Sequence, residues 1–191
     1  MADLDIPHYT SQIQNCIDHT QFFDAKDMRL SNDAAMEMLL GLVRGVEADG
    51  KKLMIVGNGG SASIASHFAI DFTKVGGVRA VCFSDAGQLT CLSNDFSYEE
   101  VFSKSVELYG DAGDVLIAIS SSGQSKNILN AAAAARKMSI QTITLSGFRP
   151  DNSLSKSGDL NIYTPSSVYG TVEIAHSIIL HALLDHIVVL S

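Results

Sequence analysis

Two pairs of histidine and carboxylate residues have a spacing that could support proton transfer or metal binding. His67 and Asp71 are four residues apart, which places both side chains on one face of a helix. Glu173 and His181 lie about 80° apart around a helix axis, whereas His176 and His181 diverge by about 140°. Only one of the two later histidines can therefore share a tight site with Glu173, and the spacing does not say which.

Imidazole and carboxylate groups together can supply the acid and the base of a proton-transfer reaction. One such reaction is aldose–ketose isomerisation, in which a base moves a proton between C1 and C2 of a sugar through an enediol while an acid or a metal manages the charge on the oxygens. Asp71 or Glu173 would be the base, and His181 would be the acid. The same residues also form an N₂O₂ set that suits zinc as a Lewis acid, namely His67, Asp71, Glu173 and His181.

A glycine-rich segment, Gly57-Asn58-Gly59-Gly60-Ser61, follows a short apolar run and precedes a helix-like segment. Glycine allows a ligand to approach the backbone closely, and the N–H groups of a first helical turn can bind an anion. Taken alone, the segment fits a tight turn, the dinucleotide fingerprint that Ala62 would complete, or a site for another anion.

A serine-rich segment, Ser120-Ser121-Ser122-Gly123-Gln124-Ser125, has the same position after an apolar run. Its four hydroxyls around a helix N-terminus predict a cradle for a single phosphate monoester, and a dinucleotide gives no reason for this second cradle. The chain has 13 Lys and Arg against 21 Asp and Glu, so its overall field repels anions and a local site is needed.

Alternating apolar runs and helix-like segments predict the elements that hold these residues. Apolar residues at helical spacing predict two opening helices, one around Ile6 to Ile17 and one around Met36 to Val46. Five short runs then read as buried parallel strands, and helices connect them: LMIVGNGGS, RAVCFSD, DVLIAISSSG, QTITLSG and LNIYTP. The predicted fold is a single α/β domain over residues 1–191, a five-stranded parallel sheet with helices on both faces, with residues 1–30 as an N-terminal helical segment used in oligomerisation.

The carboxyl ends of parallel strands lie on one edge of a sheet. The loops after Val56, Ser84, Ile119 and Leu145 can therefore converge on one crevice. The predicted site lies there.

These residues resemble a known family. The segments GNGGS with a following HF, ISSSGQS, Asn94-Asp95 and the block GTVEIAHSIILH resemble the sugar isomerase (SIS) superfamily, and within it most closely the phosphoheptose isomerases. The resemblance implies an isomerase that converts sedoheptulose 7-phosphate to D-glycero-D-manno-heptose 7-phosphate, for the heptose of lipopolysaccharide or capsule. It also implies a homotetramer with active sites between subunits, and it allows zinc as a cofactor.

The resemblance also implies roles for individual residues. His67 and His181 match the two active-site histidines of the family, and Asp71 and Glu173 stand where the family has Glu and Gln. Because Asp71 is shorter than Glu, we expect Glu173 to supply a carboxylate from the opposite helix. The remaining positions are implied to bind the sugar or its phosphate: Asn58, Gly59, Gly60, Ser61, Asn94, Asp95, Ser120, Ser121, Ser122 and Ser125.

Composition excludes some functions and leaves others open. A net charge of -8 argues against a protein that binds nucleic acid or coats an anionic membrane. The apolar stretch from Ile174 to Leu190 reads as a buried helix because histidines and Asp185 interrupt it. Three cysteines without a CxxC pair, and no sign of a signal peptide, favour the cytoplasm.

Two other functions stay open. A non-catalytic member of the same superfamily would sense a sugar phosphate or bind a protein partner such as a replication initiator. Such a protein needs the phosphate cradle but no base facing the substrate, so the histidine and carboxylate residues favour the enzyme. A nucleotide-binding oxidoreductase is the third candidate.

Overall fold

Helices and strands alternate through most of the chain. The computed structural model describes residues 5–48 and 50–189, so residues 1–4, 49, 190 and 191 of the predicted domain lie outside the described residues. The described helices are α1 (Ile6–Asp18), α2 (Asn32–Ala48), α3 (Gly60–Lys74), α4 (Ala86–Asp95), α5 (Val101–Tyr109), α6 (Lys126–Lys137) and α7 (Tyr169–Val189). The described strands are β1 (Gln21–Asp24), β2 (Arg29–Leu30), β3 (Leu53–Val56), β4 (Ala80–Cys82), β5 (Val115–Ser120), β6 (Gln141–Ser146) and β7 (Leu160–Tyr163).

Five parallel strands form the body of the sheet, in the order β7-β6-β5-β3-β4. Ile55 of β3 pairs with Ile117 of β5, and Ile117 pairs in turn with Ile143 of β6. All three side chains are fully buried. Helices cover both faces of the sheet, so β3 and β5 are apolar along nearly their whole length. Strands β6 and β7 also bury polar side chains, and Thr144 donates a hydrogen bond to Asn161 at 2.8 Å. The predicted α/β class and parallel strands are confirmed.

Over residues 5–48 and 50–189 the sheet has seven strands instead of the predicted five. Strands β1 and β2 form an antiparallel hairpin, and β1 extends the sheet beyond β7 with Phe22 opposite Ile162. At the turn, Asp24 accepts hydrogen bonds from the backbone N–H groups of Lys26 (2.8 Å) and Met28 (2.9 Å). Within the predicted helical segment 1–30, the structure thus shows one helix, α1, followed by the two strands of the hairpin. Pairing with β1 covers the edge of β7, which would otherwise be unpaired.

Helix α7 packs against α1, α2 and α3 and contributes one face to the core. Val172, Leu180 and Leu183 on that face are buried. The helix has 21 residues, and by length and composition alone it could cross a membrane. Its buried face makes it part of the hydrophobic core, in agreement with the prediction of a buried helix.

His176 is fully buried under the carboxyl ends of β6 and β7. Its Nε2 lies 3.2 Å from Thr164 Oγ1 and 3.3 Å from the carbonyl oxygen of Ser146, and its Nδ1 has no hydrogen-bond partner among the described residues. Burial lowers the pKa of His176 from 6.5 to about 4, and the hydrogen bond to Ser146 opposes this shift only partly. His176 is therefore a neutral core residue at neutral pH.

We expect His176 to make the folded state less stable in acid. The unfolded chain takes up a proton below pH 6.5, whereas the folded chain does so only near pH 4. The free energy of unfolding therefore falls as the pH drops from 6.5 to 4, by about 3 kcal/mol from this group. Urea unfolding at pH 7.5 and pH 4.5 measures the change. The His176→Gln variant should lose correspondingly less between the two pH values, and an equal loss in both proteins would contradict the assignment.

Candidate active site

A cavity of about 330 Å³ opens at the carboxyl edge of the sheet. The loop after β3, the loop after β5 and the first turns of α7 form its walls. Its lining residues are Asn58, Gly59, Gly60, Ser61, Ile119, Ser120, Ser121, Ser122, Ser125, Tyr169 and Glu173. The glycine-rich and serine-rich segments therefore meet in one cavity, as the parallel sheet predicts.

The serine-rich loop presents hydroxyls that have few partners within the protein. Ser120 Oγ donates to Ser125 Oγ at 3.2 Å, and Ser122 Oγ accepts from the backbone N–H of Gln124 at 3.3 Å. Ser121 is only 4% exposed, and its hydroxyl has no hydrogen-bond partner among the described residues. Within the same residues, no side chain caps the first turn of α3 or α6. Hydroxyls and helical N–H groups are thus available to an anion.

The Asn152 side chain packs against Gly123 of the serine-rich loop. Its Nδ2 donates to Ser146 Oγ (3.1 Å) and to the carbonyl of Arg149 (2.7 Å), and its Oδ1 accepts from the backbone N–H of Ser155 (2.9 Å). The Asn152 amide fills the space where a side chain on Gly123 would lie. Gly123 also has a φ of 63°, which L residues rarely adopt. Glycine is required here on both grounds.

We expect Gly123→Ala to destabilise the protein and to impair the loop. The left-handed backbone and the overlap with the Asn152 amide together cost on the order of 3 kcal/mol. Chemical unfolding measures this loss, and ligand binding to the serine-rich loop should weaken as well. Gly113→Ala is the matched control, because Gly113 has a φ of 90° and meets only the Lys51 side chain. If both variants weaken ligand binding equally, the loop effect is not specific.

Glu173 reaches the cavity from α7. Its carboxylate packs directly against Gly60 in the first turn of α3, where a β-carbon would collide with it. A carboxylate is favoured at this point because the N-terminal end of a helix is partly positive. Glu173 is therefore placed beside the serine-rich loop, within the same cavity.

His67, Asp71 and His181 form a second cluster, which we call the His–Asp triad. His67 Nε2 lies 3.2 Å from Asp71 Oδ2, and the rings of His67 and His181 have centroids 5.4 Å apart. One ligand atom from each side chain lies within 4.8 Å of those of the other two, so the triad can hold a metal ion. The ring of Phe68 packs against both imidazoles and orients them.

The triad faces the surface instead of the core. The His67 side chain is 52% exposed and the Asp71 side chain 26%. The same two helices carry exposed apolar side chains: Ile70 precedes Asp71 on α3, Ile178 lies three residues before His181 on α7, and Ile174 lies one turn earlier. Exposed apolar side chains beside a polar cluster indicate a surface that another molecule covers.

The predicted four-residue metal set is divided within one chain. Glu173 is not in the triad, because it precedes His181 by eight residues on α7, a rise of about 12 Å. On α3, Asp71 likewise lies eleven residues beyond Gly60, which Glu173 contacts, and the rise is about 16 Å. Glu173 cannot replace the carboxylate of Asp71 within the same chain.

Asn94 and Asp95 are not in the cavity of this chain. They lie in the last turn of α4, a helix that the sequence analysis did not predict, and Asn94 Nδ2 donates to Asp95 Oδ1 at 3.0 Å. Asn94 lines a separate shallow cavity with Leu89, Thr90, Ser93 and Tyr98. The loop after the second parallel strand does not line the cavity within this chain, and a substrate contact by Asn94 and Asp95 stays a prediction.

Two lining residues were missed by the sequence analysis. Tyr169 forms one wall of the cavity, and its ring packs edge-on against Phe148 with centroids 4.8 Å apart. Ile119 supplies an apolar patch at the end of β5. Ile119 directly precedes the serine-rich segment, so its place at the cavity follows from the sequence order, whereas Tyr169 has no sequence signal because its place depends on a contact with the distant Phe148.

Comparison with known proteins gives one consistent result. The family model described as the SIS domain matches residues 25–147. The phosphoheptose isomerase of Shewanella denitrificans is 35% identical over 187 residues, covering 94% of this chain and 91% of that protein. The phosphoheptose isomerase of Helicobacter pylori (strain P12) is 39% identical over 150 residues, with 75% and 77% covered. The solved structure of the phosphoheptose isomerase of Neisseria gonorrhoeae superimposes with a TM-score of 0.80 at 30% identity, covering 95% and 96% of the two chains.

Proposed function

The chain belongs to the SIS domain family, and from this we propose that it is a phosphoheptose isomerase. The reaction converts sedoheptulose 7-phosphate to D-glycero-D-manno-heptose 7-phosphate through an enediol. The observation that carries the proposal is the cavity, in which the serine-rich loop and the Glu173 carboxylate lie side by side. The two helices that reach this cavity, α3 and α7, also carry the His–Asp triad. The relatives bear the name of an enzyme, and a sensor would have no need of the triad, so the sensor alternative is not favoured.

The phosphate group binds to the serine-rich loop. Ser121 supplies a hydroxyl that lacks a partner among the described residues, and Ser125 precedes the uncapped first turn of α6. These neutral donors hold a dianion without a charged side chain. The sugar then extends toward Asn58, Gly60 and Glu173, which line the same cavity.

The proton transfer needs one base and one acid near C1 and C2. Asp71 contacts His67 and forms one carboxylate candidate, and Glu173 forms the other. His181 is the acid that protonates or polarises an oxygen of the enediol. The imidazole of His67 holds the Asp71 carboxylate in place through the 3.2 Å contact.

The donor set of the triad fits zinc. Two imidazoles and one carboxylate are typical of zinc sites with an open position, and the residues that would hold the ion are His67, Asp71 and His181. When bound, zinc supplies Lewis acidity toward a sugar oxygen. Glu173 is the fourth predicted ligand and would join this set only from another chain.

We propose a homotetramer whose active sites lie between subunits. The exposed triad, the exposed isoleucines on the same two helices and the long separation of Asp71 from Glu173 in one chain support this arrangement. A second copy that places its Glu173 cavity over the triad would complete the site. His181 would then serve the cavity of a neighbouring chain, and Asp95 is the second residue that we propose to reach across.

We also propose a cytoplasmic location, with no nucleic-acid or membrane partner. Cys16, Cys82 and Cys91 are free thiols, which fits a reducing compartment. The net charge of -8 disfavours binding to nucleic acid or to anionic lipid.

The test is isotope exchange with a panel of ketose phosphates. The protein is incubated with each sugar in D₂O, and deuterium at the carbon next to the carbonyl is followed by NMR. We expect exchange with sedoheptulose 7-phosphate, and loss of exchange with a chelator if zinc takes part. Exchange with none of the sugars, while they bind, would instead support the sensor.

A further inference from the structure

A part-buried pair of amides joins the two loops of the cavity. Asn58 Nδ2 donates to Asn127 Oδ1 at 2.8 Å, and Asn127 Nδ2 donates back to Asn58 Oδ1 at 3.0 Å. Asn127 is 3% exposed and lies in the first turn of α6, two residues after Ser125. The pair therefore connects the loop after β3 to the helix that begins at the serine-rich loop.

Tyr98 makes a third contact with the same side chain. Its hydroxyl donates to Asn58 Oδ1 at 2.9 Å from the start of the short 3-10 helix Tyr98–Glu100, between α4 and α5. An amide oxygen accepts two hydrogen bonds and an amide nitrogen donates two. Asn58 Oδ1 is thus fully occupied, and a single N–H remains on Nδ2.

We propose that Asn127 and Tyr98 are positioning residues, which fix the Asn58 amide so that its remaining N–H donates to a ligand oxygen. Asn58 lines the cavity and has no acceptor left, so this N–H is the polar group that its side chain offers there. The inference rests on the proposed isomerase function, in which a sugar oxygen gains negative charge as the enediol forms. A fixed donor toward that oxygen stabilises the transition state more than the bound sugar.

A positioning role predicts a separation of kcat from KM. The serine-rich loop binds the phosphate without Asn58, so substrate binding should persist when Asn58 is free to rotate. Loss of orientation should instead lower kcat. A merely structural role predicts the opposite, with lower stability and unchanged turnover well below the melting temperature.

Asn130 provides a matched control on the same helix. Its Nδ2 donates to the carbonyl of Glu99 (3.0 Å) and to Glu100 Oε1 (2.8 Å), so it also ties α6 to the 3-10 helix. The described contacts of Asn130 do not include Asn58. Asn130→Ala therefore removes two hydrogen bonds from the same interface without releasing the donor.

The kinetic experiment compares single and double variants of the full chain. We expect Asn127→Ala to lower kcat about 30-fold and Tyr98→Phe about 3-fold, each with KM changed less than 3-fold. Asn130→Ala should keep kcat within 2-fold. Because Asn127 acts through Asn58, the Asn58→Ala/Asn127→Ala double variant should be no slower than Asn58→Ala alone. Additive losses, or equal kcat losses in Asn127→Ala and Asn130→Ala, would overturn the proposal.

A second measurement does not depend on the reaction. Side-chain amide NMR reports the mobility of Asn58 in the ligand-free protein. We expect a rigid amide in the wild type and Asn130→Ala, a more mobile one in Tyr98→Phe, and the most mobile one in Asn127→Ala. An Asn58 amide that stays rigid in Asn127→Ala overturns the positioning role. An inactive wild type with this pattern of mobility would refute the isomerase function and leave the positioning intact.

Discussion

Replacing Asp71 by Asn is expected to lower kcat about 1000-fold with a small change in KM. The substitution keeps the size of the side chain but removes the charge that contacts His67 at 3.2 Å and completes the triad with His181. Loss of a positioned base or acid typically slows a reaction by ~10² to 10⁴. The serine-rich loop should still bind the phosphate, because it lies at the other end of α3. Steady-state isomerisation by wild type and variant measures both constants.

Two further variants make this result specific. Asp71→Glu keeps the carboxylate and should retain much more activity than Asp71→Asn. Lys74→Gln is a control on the same helix, since Lys74 is exposed and one turn further along. A kcat within tenfold of the wild type in Asp71→Asn would show that another group is the base.

The body of the fold could be predicted from the sequence, and two small elements could not. Strands β3 and β5 are continuous apolar runs followed by glycine or serine, a pattern that burial on both faces produces. Strands β6 and β7 mix apolar residues with Thr and Asn, and their flanking polar segments still mark them as strands. Strand β2 has only two residues, too few to show a period, and the hairpin depends on pairing with β7. Helix α4 buries only Leu92, so it has little amphipathic pattern. Asp85 and Gln88 do have the spacing of a capping box, which was the signal for it.

In the candidate site, contacts within one helix could also be predicted from the sequence, and contacts between distant segments could not. His67 and Asp71 meet because they are four residues apart on one helix, which spacing alone predicts. The meeting of the two loops follows from the parallel sheet. The packing of Glu173 against Gly60 joins segments more than a hundred residues apart, and neither residue type signals it. Helical angles gave the faces of α7 correctly, but they leave out the rise that separates Glu173 from His181.

Replacing Glu173 by Gln is the second substitution with a large expected effect. The variant keeps the contact with Gly60 but removes the charge at the first turn of α3, and we expect kcat to fall about 100-fold. Steady-state isomerisation measures it under the same conditions. If Glu173→Gln keeps full turnover while Asp71→Asn abolishes it, Glu173 does not compensate for the shorter side chain of Asp71.

Mixing the two inactive variants tests whether their carboxylates meet across subunits. In one chain Asp71 lies near the C-terminal end of α3, whereas Glu173 contacts Gly60 at its N-terminal end, so a site that uses both must combine two copies. The Asp71→Asn and Glu173→Gln proteins are unfolded together and refolded. A shared site then has both native carboxylates when a Glu173→Gln chain supplies Asp71 and an Asp71→Asn chain supplies Glu173. Random assembly gives on the order of a quarter of the wild-type activity, far above either variant alone. Activity that stays at the level of the separate variants would contradict a site shared between subunits. Within one chain the two carboxylates cannot meet, because eleven residues of α3 separate Asp71 from Gly60, a rise of about 16 Å.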